Sequence, residues 1–269
     1  MCGAYREWTR VVVSMRVTRA EGYDEPRDSV SHDLVRWLAG IRMVPLLVPN
    51  ALSDPEAFLD AVGAEAILLS GGNDLSPEAY HRGGVLGDVG PPRGGIGAPT
   101  ADMAPARDRT ERRLLSVAVE RRLPTFGICR GMQMMNAFFG GSLRRLENAR
   151  AHIATTHPVW PARESREQAT DSRAQVLLGE RTAANSYHGY GIEIEDLAQA
   201  LRPLAFARDG TVEALFHPEL PMAAVMWHPE RPGPSRDADA CLLRHLFRDT
   251  ARWLAIVGER APEQAGGTP

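Results

Sequence analysis

The chain has 269 residues and a formal net charge of −3, which gives no electrostatic case for a nucleic-acid or membrane-surface partner. A hydrophobic content of 43% suits one sizeable core, and no run of about 18 apolar residues is present to cross a bilayer. The chain has no lysine, which excludes a lysine Schiff base, a lysine nucleophile and a P-loop; Cys2, Cys129 and Cys241 lie too far apart for a CxxC pair, which argues against a disulfide framework or a cysteine zinc site.

Arg10–Val17 reads as a buried strand, and Asp28–Leu38 has helical spacing. Met43–Val48 is a second apolar run. Asp54 and Pro55 form an N-cap and first-turn pair opening a helix to about Val62, and Ala66–Leu69 is a third strand. This alternation argues for a parallel sheet with helices on both faces. Residues 73–106 are rich in Gly and Pro and read as a long loop of the kind that serves as a functional lid. Asp108–Arg121 resumes as a helix. Pro124–Ile128 is a fourth strand, followed at once by a helix over Arg130–Phe139 that Gly140-Gly141 stops. Residues 146–175 carry no clear pattern. Strand-like runs follow at Ala174–Leu178, Leu204–Arg208, Val212–Phe216 and Ala223–Trp227, and Asp237–Val257 is a terminal helix. The expectation is a single α/β domain over residues 10–257, with flexible tails at 1–9 and 258–269. The polar start MCGAYREWTR lacks the apolar stretch of a signal peptide, and the cysteine usage suits a reducing cytoplasm.

The stretch PTFGICRGMQ, residues 124–133, carries the strongest chemical signal. A strand runs into Gly127-x-Cys129-x-Gly131 and a helix starts at once, the nucleophile-elbow pattern with Cys in place of Ser. Its glycines answer to a sharp turn with close neighbours, and the helix N-terminus favours thiolate. A cysteine nucleophile needs a base, and the base an orienter. Met226-Trp227-His228-Pro229-Glu230 supplies both at the end of an apolar strand, with His228 and Glu230 two residues apart and pointing the same way. A second copy, His217-Pro218-Glu219, reads as a turn. Ser70-Gly71-Gly72 ends the third strand, where α/β sheets place their sites. It offers one backbone donor for an oxyanion, at Gly72, and the N–H of Arg130 offers another.

With these motifs in this order, the sequence resembles the class I glutamine amidotransferase-like superfamily over roughly residues 10–250. SGGNDLSPEAY and the arginine after the nucleophile look like its γ-glutamyl hydrolase branch. The resemblance implies a flavodoxin-like three-layer α/β sandwich around a mostly parallel sheet. It implies thiolate attack on a γ-glutamyl carbonyl, a γ-glutamyl thioester, departure of the amine and hydrolysis to glutamate, with no metal or cofactor. The segments VSMRV, YDEPRD, NSYHGYG and MWHPER look further like the γ-glutamyl-CDP-amidate hydrolases. That likeness implies a substrate pocket drawn from Gly71, Gln133, Asn185, Ser186, Tyr187 and His188, with Arg16, Arg27 and Arg231 suited to clamp a diphosphate. The expected partner is a small γ-glutamyl molecule, with homodimerisation left open. Two further readings are a glutaminase subunit that passes ammonia to a synthase and a non-catalytic module that keeps the fold. The intact Cys129, His228 and Glu230 set argues against the second.

Overall fold

The computed structural model describes residues 7–76, 79, 102–162, 172–179, 183–234 and 236–258. Most of the 73–106 loop, and most of both tails, therefore lie outside the described residues. An eight-stranded sheet forms the centre, in the order β4-β1-β5-β6-β14-β13-β12-β9. Strands β4 (Met43–Val48), β1 (Thr9–Ser14), β5 (Ala66–Leu69), β6 (Thr125–Ile128) and β14 (Met222–Val225) run parallel. Strands β13 (Val212–Phe216), β12 (Arg202–Phe206) and β9 (Trp160–Pro161) continue it antiparallel. The parallel strands β5, β6 and β14 are buried along their whole length, as strands covered by helices on both faces must be.

The helices follow their local signals. Asp54 caps α2 (Pro55–Val62) by accepting from Ala57 N at 3.0 Å, with Pro55 in the first turn. Helix α3 (Pro105–Arg121) starts before Asp108, at the proline. Helix α4 (Arg130–Phe138) is buried at all nine positions.

Four expectations need correction. The first strand ends at Ser14, and β2 (Arg16–Arg19) turns away to pair antiparallel with β3 (Pro26–Ser29). Asp28 is thus in a strand: Pro26 favours extended backbone, and Asp28 is held by Asn50, whose N and Nδ2 donate to it at 2.8 and 2.6 Å. The helix α1 (His32–Gly40) begins only after Ser31, whose hydroxyl accepts from Leu34 N. Residues 174–178 lie in a helix, α5 (Ser172–Leu178), with Ala174, Leu177 and Leu178 buried and Val176 exposed; five residues are too few to separate the two periods. The terminal helix is two, α6 (Arg236–Arg248) and α7 (Thr250–Gly258), divided where Asp249 accepts from Arg252 N and caps the second. The unpatterned 146–175 region holds β8 (Ile153–Pro158), which pairs with β10 (Ala183–Tyr187) off the main sheet. No residue of β8 is buried, so no alternation could show.

Candidate active site

Cys129 follows β6 and caps α4, with φ 51° and ψ −103°, an unusual conformation for a residue other than glycine. Its N–H donates to Val225 O at 2.8 Å, which locks the elbow to the neighbouring strand. A Cβ on Gly127 would come within 2.7 Å of Gly131 C, and one on Gly131 would collide with the Leu69 carbonyl. Both glycines are therefore demanded by close approach of strand and helix, as the Gly-x-Cys-x-Gly spacing predicts.

The register of β14 against β6 pairs Val225 with Ile128, so the chain leaving β14 runs beside Cys129. There Arg231 N donates to His228 O at 3.1 Å, closing a turn with Pro229 at its second position. This turn folds Glu230 back onto the imidazole: His228 Nδ1 to Glu230 Oε1 is 2.7 Å. The ring is buried, which pushes its pKa down. Hydrogen bonds to Cys129 and Glu230 outweigh burial and lift it to about 9. The imidazole is thus charged at neutral pH, beside the thiol and backed by a carboxylate.

Ser70-Gly71-Gly72 leaves the carboxyl end of β5 against this pair. A Cβ on Gly71 would lie 2.8 Å from His228 Cε1 and 3.7 Å from Cys129 Cβ, so only glycine fits there. Gly72 has φ 81°, a left-handed conformation. Behind the turn lies Arg107, fully buried, which the sequence reading did not single out. Its guanidinium donates to the carbonyls of Ser70 (2.5 Å), Gly71 (3.1 Å) and Gly72 (2.5 Å). Because a peptide N–H points opposite the carbonyl of its own plane, Arg107 turns the following N–H groups away from itself. Arg107 also pairs with Glu111 at 2.8 Å, and the side chain of Arg130 pairs with Asp108 and Glu111. Two arginines and two carboxylates thus neutralise one another inside the protein. Burial, then the charge of Arg130, push Arg107 down to about 10, against the pull of Glu111 and Asp108. Arg130 therefore offers its backbone N–H at the elbow while its side chain braces the Gly71-Gly72 turn through Glu111 and Arg107.

A thiol, a charged imidazole, a carboxylate and a pinned glycine turn make an arrangement suited to acyl transfer. The chain matches the Peptidase C26 family over residues 11–230. The chain belongs to the peptidase C26 family. It is 32% identical over 202 residues to the γ-glutamyl-γ-aminobutyrate hydrolase of Escherichia coli O157:H7, covering 70% of this chain and 72% of that protein. It is 30% identical over 167 residues to the γ-glutamyl-CDP-amidate hydrolase of Campylobacter jejuni, covering 62% of each. The structure of a GMP synthase subunit from Thermoplasma acidophilum superposes with a TM-score of 0.60 at 17% identity, over 95% of this chain and 100% of that one, and supports the class I glutamine amidotransferase fold. This C26 chain is accordingly an enzyme, a C–N hydrolase of the glutamine amidotransferase-like type.

The remaining predicted residues of the C26 site have varied surroundings. The side chain of Asn185 accepts from His228 N at 2.8 Å and donates to His228 O at 2.9 Å, so it seats the histidine's backbone. The Tyr187 ring stands edge-on to the imidazole, centroids 5.4 Å apart, and Arg231 lies 4.1 Å over that ring. Ser186 donates to His152 O, and Gln133 Nε2 donates to Tyr190 O. His188 Nδ1 also bonds Tyr190 O, while its Nε2 faces Glu213. A cavity of about 220 Å³ opens beside His228 and Glu230, lined by Gly71, Gly72, Arg16 and Arg231 among others. Arg27 is not in that lining; it is exposed and bonded to Glu25 and Tyr23. Arg107 could have been suspected from the Arg107-Asp108-x-x-Glu111 spacing, which puts the arginine and Glu111 on one helix face.

Proposed function

We propose that Cys129 attacks the γ-carbonyl of a γ-glutamyl amide, with His228 as its proton partner and Glu230 as the orienter of the imidazole. The tetrahedral oxyanion takes hydrogen bonds from the N–H groups of Gly72 and Arg130. Collapse expels the amine, which receives its proton from His228, and leaves a γ-glutamyl thioester on Cys129. Water, deprotonated by His228, attacks the thioester and releases glutamate and the thiol.

The amine side of the substrate carries phosphate in this reading, and CDP-L-glutamine leads. The observation that carries it is the pair Arg16 and Arg231 lining the cavity that adjoins His228 and the Gly71-Gly72 turn. A guanidinium fork suits phosphate oxygens, and two of them on one cavity suit a diphosphate. The similarity to the Escherichia coli enzyme favours a second reading, γ-glutamyl-γ-aminobutyrate, whose single carboxylate one arginine would satisfy. Comparing kcat/KM for CDP-L-glutamine, γ-glutamyl-γ-aminobutyrate and glutamine separates them. A preference of roughly 10²-fold for the nucleotide, about 2.7 kcal/mol of transition-state binding, is expected. Faster turnover of γ-glutamyl-γ-aminobutyrate would overturn the first reading and leave the second.

A further inference from the structure

Away from Cys129, the β8–β10 hairpin meets the main sheet at a cluster of three histidines and a glutamate. His152 stands just before β8, His157 lies within it, His188 follows β10 directly, and Glu213 is in β13. One ligand atom from each of the four lies within 4.8 Å of all the others. His152 Nδ1, His157 Nε2 and His188 Nε2 are 3.5, 3.6 and 3.5 Å from Glu213 Oε1. These separations are too long for good hydrogen bonds. All four atoms, and the second Glu213 oxygen, are buried without a hydrogen-bond partner. Glu213 itself is 0% exposed.

The opposite ring nitrogens are all satisfied. His152 Nε2 bonds Asp209 Oδ2 at 2.7 Å, His157 Nδ1 bonds Pro158 O at 3.0 Å, and His188 Nδ1 bonds Tyr190 O at 3.1 Å. Each of these partners can only accept, so each far nitrogen carries the proton. The near nitrogen of each neutral ring then presents a lone pair. Three lone pairs and a carboxylate converge on one buried point, an arrangement that repels itself unless a cation sits there. A tetrahedral metal with bonds of about 2.1 Å has ligand-to-ligand edges about 1.63 times longer, roughly 3.4 Å. The three observed nitrogen-to-oxygen distances are close to that edge. The far-nitrogen bonds to a carboxylate and to carbonyls are those that orient histidine ligands around metals.

We propose that His152, His157, His188 and Glu213 form a structural site for a tetrahedral divalent cation, zinc above all, that clamps the β8–β10 hairpin to β13. Imidazole and carboxylate donors in tetrahedral array suit zinc. Four protein ligands leave no open coordination position, so the ion holds structure and does not activate water. Glu213 together with Asp209 balances its charge. A cavity of about 200 Å³ lined by His152, His157 and Asp209 gives an entry path. The hairpin carries Asn185, which seats His228, and Tyr187, which packs on its ring, so the ion would support the candidate active site at one remove.

The test uses the full chain without an affinity tag. Elemental analysis should find about one zinc per chain. Chelation should lower Tm by roughly 5–10 °C, and Zn(II) alone should restore it. Co(II) loaded in place of zinc should give the intense visible bands of tetrahedral coordination. His157→Ala, at the least buried ligand, and Glu213→Gln should each lose the bound metal while circular dichroism stays native. If Glu213→Gln does not fold, His157→Ala decides. Less than about a tenth of an equivalent in the wild type with no Tm response to Zn(II) overturns the proposal. So does undiminished metal in His157→Ala, or the weak bands of octahedral Co(II).

Discussion

The tripeptide His-Pro-Glu occurs twice, at the two ends of the same strand, and the two copies fold to different ends. At the carboxyl end of β14, the turn after His228 brings Glu230 back to the ring, where Nδ1 and Oε1 meet at 2.7 Å. At its amino end, His217 Nδ1 accepts from Glu219 N and Leu220 N at 3.0 and 3.1 Å, and Glu219 makes no such return. One imidazole is lifted to about 9, and burial pushes the other below its usual value. The residues are the same, so the difference comes from placement. The carboxyl edge of a parallel sheet gathers the ends of neighbouring strands, here β5, β6 and β14, and leaves a crevice between them. His217 sits at the opposite edge and completes a connection between β13 and β14.

The largest effect should separate the copies outright. Cys129→Ala and His228→Ala should each reduce turnover by at least about 10³-fold while circular dichroism stays native; His217→Ala should leave kcat/KM within a few-fold. If His217 proves essential and His228 dispensable, the comparison is broken. Glu230→Gln comes next. The alkaline limb of kcat/KM should fall near pH 9 in the wild type, as His228 loses its proton, and should move to lower pH in the variant, because the carboxylate raises the imidazole pKa. The same shift sets a stability window. A group raised from 6.5 to about 9 contributes fully below pH 6.5 and loses its contribution as pH rises through 9, so Tm should decline over that range in the wild type and less in Glu230→Gln. An unmoved limb would mean that Glu230 does not tune the ring. Arg231→Ala should then cost CDP-L-glutamine far more kcat/KM than γ-glutamyl-γ-aminobutyrate; equal losses would assign Arg231 to packing on Tyr187. The smallest effect is the stability cost of His217→Ala, on the order of 1 kcal/mol by urea unfolding, from two turn N–H groups left without their acceptor.

The contrast also shows what a sequence discloses. Gly127-x-Cys129-x-Gly131 was legible because one short motif carries its own steric reasons. Asp54-Pro55 and Ala66–Leu69 were legible because a cap and a bounded apolar run act locally. Arg107 was not singled out. It stands among Arg109, Arg112 and Arg113 on one helix, and only tertiary packing distinguishes the one that is buried. Asp28 was misplaced because Val30, Leu34 and Leu38 share a helical period that Pro26 and Ser31 override. His188 read as a pocket residue from its neighbours, while its partners, Glu213 and Tyr190, are set by β13 and the chain after β10. These are pairings between distant segments, which periodicity does not record.

The position of β14 bears on how the protein is made. It is the last strand in the chain, yet it lies inside the sheet, hydrogen-bonded to β6 on one side and β13 on the other. During synthesis the sheet stays open down its middle until that strand emerges. The thiol of Cys129, made far earlier, waits without its imidazole. Assembly of this kind depends on contacts remote in sequence and is slow compared with local helix formation. Enzymatic activity should therefore return on refolding after the far-ultraviolet helix signal has recovered, and any truncation within β14 should leave a chain that is collapsed and inert.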